Sequence, residues 1–217
     1  MKTFEQFVNQ KDDDQEYIKC CKSVIKMIRG KVDLETVKSF KYFKLPNVPK
    51  EYQKYQEEVN FLLKLGKINI GDKVLDVNQM KNIYCIIIPK KYWWKGERPS
   101  SETESDPSGK LIKISEYNIE NNDNYAWLVH EIVHSLININ NINKGDEKFY
   151  KDIKGDTYPN NCDERYTFGY EIIYLKSKGM TDDEILELFK KGSESYSSVY
   201  GVDFFKRLLQ ELKPPLK

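Results

Sequence analysis

Residues 123–137 have the sequence DNYAWLVHEIVHSLI, which is the most informative stretch of the chain for predicting its fold. Its apolar residues recur at intervals of three and four, as in a helix with one face buried in a core. They are Tyr125, Leu128, Val129, Ile132, Val133 and Leu136. Asn121, Asn122 and Asp123 offer side chains that can cap a helix N-terminus. The sequence therefore predicts an amphipathic helix over 123–137.

Within this helix, residues 130–134 read HEIVH, which is the pattern HExxH. Residues four apart are neighbours on one helix face, with Cβ atoms about 5–6 Å apart, so His130 and His134 suit two corners of a tetrahedral zinc site. Glu131 lies roughly 100° round the helix from His130, close enough to accept a proton from a metal-activated water without ligating the metal. The chain has only two histidines, and chance gives this arrangement in about one such chain in a thousand. The alternative is an ordinary helix whose polar residues bind no metal.

A catalytic zinc needs a third protein ligand and one open position. Because the chain has no third histidine, that ligand is expected to be a carboxylate or, failing that, Cys162. The continuation HExxHxxGxxH is excluded, since Ile137 and Asn140 stand where its glycine and last histidine would be. The downstream carboxylate candidates are Asp146, Glu147, Asp152, Asp156, Asp163, Glu164 and Glu171.

HEIVH followed by a glutamate on a second helix resembles the gluzincin branch of the zincin metallopeptidases. Residues 158–160 (YPN), 163–164 (DE) and 174–185 (YLKSKGMTDDEI) also resemble small HExxH proteins of microbes and their viruses. The resemblance covers about residues 110–212. It implies an α+β zincin core, with a small sheet above the HExxH helix and a following helix that carries a glutamate ligand.

The resemblance implies that Glu164, in the first turn of the next predicted helix, is the third zinc ligand, with Asp163 and Glu171 in reserve. Glu171 lies two turns further on nearly the same face, roughly 10 Å along the axis, so it is expected to be dispensable for metal binding. Many gluzincins carry an acid four residues after the ligand glutamate, which holds a histidine. Phe168 occupies that position here, so support for the ligands must come from elsewhere.

A peptidase of this kind also needs a donor for the oxyanion that develops on the substrate carbonyl. Tyr158 is the first candidate, because Pro159 restricts its local backbone and it lies just before the predicted ligand helix. Arg165 and Tyr166 are the next candidates. The chain contains fifteen tyrosines, so ordinary packing is the competing explanation for Tyr158.

The rest of the pattern predicts an α+β fold that is mostly helical with a small sheet. Residues 4–65 are expected to be mainly helical. Strands are expected over 82–88 and 110–115, a polar loop over 95–109, and further helices over about 162–178, 185–191 and 203–212. We expect an N-terminal helical region over 1–70 and a zincin-like catalytic domain over 71–217, packed as one compact unit.

Composition limits the partners and the compartment. Lys and Arg number 35 against 34 for Asp and Glu, a net charge of +1, so a nucleic-acid partner is not expected. The four cysteines include no CxxC pair, which argues against a four-thiolate zinc site and against a disulfide framework. No apolar run approaches the roughly 18 residues of a membrane span, and no signal-peptide pattern begins the chain. We therefore expect a cytoplasmic protein without a membrane partner.

These patterns together predict a zinc-dependent metallopeptidase that acts on a peptide or protein. His130, His134 and Glu164 are its expected zinc ligands, and Glu131 is its expected general base. The alternative is a non-enzymatic zinc-binding protein, or a virion or scaffold interaction protein, with a vestigial HExxH helix. Residues 1–10, MKTFEQFVNQ, resemble the N-terminal capsid-targeting peptide of internal proteins in large tailed phages. That likeness implies a viral protein located in the host cytoplasm or in the virion.

Overall fold

The structure is a computed structural model that describes residues 15–26, 28, 32–92, 94–95, 98–99, 103–116, 119, 126–142, 164–191 and 201–212. The α-helices are α1 (Gln15–Ile25), α2 (Leu34–Lys38), α3 (Gln53–Leu65), α4 (Trp127–Ile139), α5 (Glu164–Ser177), α6 (Asp182–Lys191) and α7 (Gly201–Glu211). The strands are β1 (Tyr42–Lys44), β2 (Lys67–Ile70), β3 (Lys73–Asp76), β4 (Tyr84–Ile88), β5 (Trp94–Lys95), β6 (Arg98–Pro99), β7 (Thr103–Ser105) and β8 (Leu111–Ser115). Short 3₁₀ helices cover Lys50–Tyr52 and Val77–Asn82. This content confirms the predicted α+β class.

The main sheet has four strands in the order β1-β4-β8-β7. The central strands β4 and β8 run parallel, with Cys85 opposite Ile112 and Ile87 opposite Ile114. The outer strands β1 and β7 pair antiparallel with them. Every residue of β4 and β8 is buried, as expected for central strands that are covered on both faces.

Alternate residues of the sheet face two separate cores, because successive side chains of a strand point to opposite faces. Cys85, Ile87, Ile112 and Ile114 belong to the larger core, which also contains apolar residues of α3, α4, α5, α6 and α7. The other face of the sheet packs against α1 and α2 in a smaller core. The sheet therefore separates the N-terminal helices from α4, the helix that carries HExxH.

Helix α4 is buried on nearly all sides. Its buried residues are Leu128, Val129, His130, Glu131, Ile132, Val133, Ser135, Leu136 and Ile137. The predicted helix over 123–137 thus exists, although residues 121–125, with the proposed caps, lie outside the described residues. Within the described ranges no helix combines the length and the apolar character that crossing a membrane requires.

The expectation that 4–65 is mainly helical is confirmed for the described residues of that range, where α1, α2 and α3 account for most of the chain. The range also contains a strand that was not expected, β1, which pairs with β4 and completes one edge of the sheet. The region 95–109 was expected to be a loop, yet it contains β7, which pairs with β8. Both strands have only three residues, too few for a two-residue alternation to be recognised in the sequence.

Residue 70, the predicted domain boundary, ends β2 within the β2–β3 hairpin. Residues on both sides of it contribute to the main sheet and to the larger core. The hairpin contacts α5 through Tyr170, whose hydroxyl accepts a hydrogen bond from the Asn69 N–H at 2.5 Å.

The turn between β7 and β8 lies directly against α4. The carbonyl oxygen of Asp106 accepts hydrogen bonds from the Gly109 N–H at 2.9 Å and from Nδ2 of Asn138 on α4 at 3.3 Å. Gly109 has φ +70, and a Cβ at this residue would overlap the carbonyl oxygen of Ser135 and lie 2.9 Å from the Ile139 nitrogen. Only glycine fits both this backbone conformation and this approach, which sets the distance between β7 and α4.

Gly109→Ala is therefore expected to destabilise the protein much more than Gly66→Ala. Both glycines have φ +70, but a Cβ at Gly66 would meet nothing within 4 Å. The left-handed conformation costs about 1–2 kcal/mol at either residue, and overlap with α4 adds about 1–3 kcal/mol at Gly109 alone. Urea unfolding of the two variants measures the difference, and equal losses of stability would contradict the close contact between this turn and α4.

Candidate metal centre

The two histidines of α4 point the same ring atom toward each other. The Nε2 atoms of His130 and His134 are 3.1 Å apart, and the ring centroids are 4.8 Å apart. This arrangement follows from the spacing of four residues on a helix. His130 is buried, and the side chain of His134 is 12% exposed.

Glu164, the first residue of α5, brings its carboxylate to the same place. Its Oε2 lies 3.2 Å from Nε2 of His130, and its Oε1 lies 3.4 Å from Nε2 of His134. These three residues form a cluster that could hold a metal ion, with one ligand atom from each residue. The structure therefore brings together the three residues that the sequence analysis expected to be ligands, although Glu164 is thirty residues beyond His134 in the chain.

The spacing of the donor atoms fits a metal of tetrahedral geometry. Four ligands at about 2.0–2.1 Å from a tetrahedral ion lie about 3.3 Å from one another. The observed separations are 3.1 Å between the two nitrogens and 3.2 and 3.4 Å from the nitrogens to the carboxylate oxygens. The side chains of Glu164 and His134 are 15% and 12% exposed, so solvent reaches this side of the cluster.

Glu171 holds the other side of His130. Its Oε2 lies 3.2 Å from Nδ1 of His130, and its Oε1 accepts a hydrogen bond from the Ala126 N–H at 3.3 Å. A carboxylate at Nδ1 favours the tautomer with the proton on Nδ1, which leaves the Nε2 lone pair for a metal. Glu171 thus contacts a predicted ligand histidine through the nitrogen that faces away from the cluster, and this contact argues against the expectation that it is dispensable for metal binding.

Phe168 packs its ring against His130 instead of supplying an acid. The two rings meet edge to face, with centroids 4.6 Å apart. Behind Phe168 lie Phe189 of α6 and Phe205 of α7, with ring centroids at 5.7 and 5.1 Å. The apolar cluster packs α5 beside α4, and Phe168 covers one side of the His130 ring.

Glu131 lies beside the cluster and is held by the sheet. Its Oε2 accepts a hydrogen bond of 2.7 Å from the Ser105 N–H of β7. Burial raises the pKa of Glu131, and this effect exceeds the opposite influence of His130 and His134. A carboxylate with a raised pKa is better suited to accept and return a proton near neutral pH.

The histidines and carboxylates of the cluster shift one another's pKa values. Burial lowers the pKa of His130, but hydrogen bonds to the carboxylates of Glu164 and Glu171 outweigh burial and hold the pKa well above its usual value. Burial acts to raise the pKa of Glu164, yet His134 and His130 hold it well below its usual value. Because a metal binds the deprotonated imidazole, metal binding and proton binding compete at this cluster.

Thr167 is a further residue at the site that the sequence analysis did not identify as a contributor. Its buried hydroxyl lies 3.0 Å from the backbone carbonyl of Glu164 and 3.4 Å from the Oε2 atom of the same residue. A threonine three residues after a glutamate is common in helices, so no signal in the sequence distinguishes it. Its position restricts the rotation of the Glu164 side chain.

The candidate oxyanion donors are only partly described. Tyr158 lies outside the described residues, as do Asp146, Glu147, Asp152, Asp156, Cys162 and Asp163. Arg165 binds Oε2 of Glu211 on α7 at 2.9 Å. The Tyr166 hydroxyl lies beside Gly71 in the β2–β3 turn. These contacts connect both side chains to neighbouring elements, and an oxyanion donor stays unassigned.

Comparison with family models, with curated proteins and with solved structures gives no match to this chain. The resemblance to zincins is therefore carried by the residues quoted above, and it stays a prediction. The distances within the cluster of His130, His134 and Glu164 do not depend on that resemblance.

Proposed function

We propose that this chain is a zinc-dependent hydrolase that cleaves peptide bonds. The observation that carries the proposal is the cluster of His130, His134 and Glu164: its two Nε2 atoms lie 3.1 Å apart, and each lies 3.2–3.4 Å from a different oxygen of Glu164, separations close to those between the ligands of a tetrahedral zinc ion. Two imidazoles and one carboxylate are also a ligand set of catalytic zinc sites.

The same ligand set supports catalysis over a structural role. Structural zinc sites have four protein ligands, often with cysteine, whereas catalytic sites have three and leave one position open. In the described part of the chain, the cluster contains three residues and no cysteine. Its exposed side, at Glu164 and His134, is where a substrate would enter.

Zinc in this position would supply Lewis-acid chemistry, lowering the pKa of a water and polarising a substrate carbonyl. Glu131 would act beside it as the general base. Its buried carboxylate would accept the proton of the attacking water and pass that proton to the departing amine. The Ser105 N–H fixes one oxygen of Glu131 at 2.7 Å, so the other oxygen is left to take part in proton transfer.

The position of Glu131 next to a sheet edge supports a peptide as the substrate. Among the described strands, β7 lies at the outer end of the four-stranded sheet, and Ser105 of β7 contacts Glu131 directly. Extended peptides bind along the outer strands of sheets, and here the Ser105 N–H of that strand already binds Glu131. A peptide bound there would lie alongside the proposed base.

The test is proteolysis by the metal-loaded protein. We expect the protein with one equivalent of zinc to cleave casein, an unstructured protein, into fragments that mass spectrometry identifies. A chelator should stop the cleavage, and added zinc should restore it. Tight zinc binding without cleavage of casein or of a mixed peptide library would contradict the peptidase and favour a non-enzymatic zinc protein.

The contact between Glu171 and His130 leads to a separate prediction. Glu171→Gln is expected to lower zinc affinity by about 10–100-fold, because the partner that orients a ligand histidine and raises its basicity is lost. Competition with a chromophoric chelator measures the affinity. Glu187→Gln, at an exposed residue of α6 that pairs with Lys190, is the matched control and should bind zinc like the parent. Unchanged affinity in Glu171→Gln would remove Glu171 from the centre.

A further inference from the structure

Among the described residues, helix α4 begins without a local side-chain cap. Ala126 occupies the N-cap position and makes no side-chain hydrogen bond, and the first turn contains no acidic residue. The first N–H groups of any helix lack partners within the helix, and a buried N–H without an acceptor is costly. In the part of the chain that the structure describes, the acceptors for this buried helix end come from other elements.

Two buried carboxylates from neighbouring helices supply them. Oε2 of Glu58, on α3, accepts hydrogen bonds from the Leu128 N–H at 2.8 Å and from the Val129 N–H at 3.0 Å. Glu171, on α5, accepts the Ala126 N–H as described above. The first turn of the HExxH helix is thus held from both sides by carboxyl side chains that are distant in the sequence.

Capping a helix with Glu58 requires a carboxyl group to be buried in the core, which costs free energy. Glu58 is fully buried, its Oε1 has no hydrogen-bond partner among the described residues, and burial raises its pKa to about 8 despite the two N–H groups that lower it. A serine or aspartate at residue 126 would cap the helix locally, without a carboxylate in the core. A local cap, however, would not connect α4 to α3.

The turn that Glu58 holds ends at the first histidine. The His130 N–H donates to the Ala126 carbonyl at 3.1 Å, so His130 closes the first hydrogen-bonded turn of α4. Its ring then contacts Glu171 through Nδ1 and Glu164 through Nε2, each at 3.2 Å. A shift of this turn would change both contacts together.

We propose that Glu58 is a positioning residue of the metal centre: by binding the Leu128 and Val129 N–H groups, it fixes the turn that places His130 between Glu171 and Glu164. This inference rests on the proposed zinc site. Glu58 touches neither the metal ligands nor the substrate, and it acts through the backbone of α4.

The test compares zinc affinity in three variants of Glu58, measured on folded protein. Glu58→Gln keeps a carbonyl oxygen in the capping position and is expected to stay within about twofold of the parent. Glu58→Asp is one methylene shorter and Glu58→Ala has no acceptor, so both are expected to bind zinc about tenfold more weakly, at the lower end of the effect of outer-shell residues. Val59→Ala, at the next buried residue of α3, is the control for lost packing and should keep the parent affinity.

Amide hydrogen exchange without metal measures the cap itself. The Leu128 and Val129 amides should exchange faster in Glu58→Ala and Glu58→Asp than in Val59→Ala.

The proposal would be overturned if folded Glu58→Ala bound zinc with the parent affinity. If the alanine variant does not fold, the same result in Glu58→Asp would overturn it. Failure of Glu58→Asp to fold would also overturn it, because Glu58 would then hold the fold and not the centre. A parent protein that binds no zinc would refute the proposed function, whereas a zinc-binding parent with unaffected variants would refute this inference alone.

Discussion

Glu131→Gln is expected to bind zinc like the parent and to hydrolyse peptides about 10²–10⁴-fold more slowly, the usual contribution of a general base. Glutamine has nearly the same shape and can still accept the Ser105 N–H, which now binds Oε2 of Glu131. It cannot accept the proton of the attacking water. The measurement is the initial rate of peptide cleavage at saturating zinc, together with zinc content.

Glu187→Gln is the matched control for this prediction. Glu187 is exposed on α6 and pairs with the exposed Lys190, so its loss should leave the rate within about twofold. A Glu131→Gln protein that cleaves at the parent rate would exclude Glu131 as the base. Loss of zinc from that variant would instead indicate that Glu131 is a ligand.

Glu164→Ala is expected to weaken zinc binding by more than about a hundredfold, beyond the range typical of outer-shell residues. Among the described residues, its carboxylate supplies the one oxygen donor of the cluster, and two imidazoles alone leave the ion half coordinated. His130→Ala and His134→Ala should lose zinc for the same reason. Isothermal titration with zinc measures all three.

Asp163→Ala and Cys162→Ser are the controls for the identity of this ligand. Both residues precede Glu164 and lie outside the described residues, and both were alternatives in the sequence analysis. Their variants should bind zinc like the parent. If Cys162→Ser lost zinc while Glu164→Ala retained it, the third ligand would be the thiolate, and the position of Glu164 beside the two histidines would be incidental.

The HExxH helix could be predicted because the residues that define it are close together in the sequence. A spacing of four residues determines that His130 and His134 share a face, and the apolar pattern determines that the helix is buried. Glu164 could be proposed only through the resemblance to gluzincins, since residues 138–163 contain many acids and no periodic pattern. The structure brings Glu164 to the histidines because α5 packs along α4.

The roles of Glu58, Ser105 and Glu171 could not be predicted, for three different physical reasons. Glu58 is 70 residues from Leu128 in the sequence, and nothing local marks it as a cap. Ser105 acts through its backbone N–H, which any residue except proline would provide. Glu171 was correctly placed two turns from Glu164, but an imidazole has two nitrogens, and Glu171 binds the one that faces away from the metal position.

X-ray absorption at the zinc edge, on protein loaded with one equivalent of zinc, tests the central claim most directly. The account predicts a first shell of nitrogen and oxygen only, at about 2.0–2.2 Å, with the outer-shell pattern of two imidazoles. His134→Ala can be measured at a zinc concentration high enough to load it. In that variant the imidazole scattering should fall by half, because one histidine ligand is left. A sulfur shell near about 2.3 Å, or a parent protein that takes up no zinc, would contradict the proposed centre.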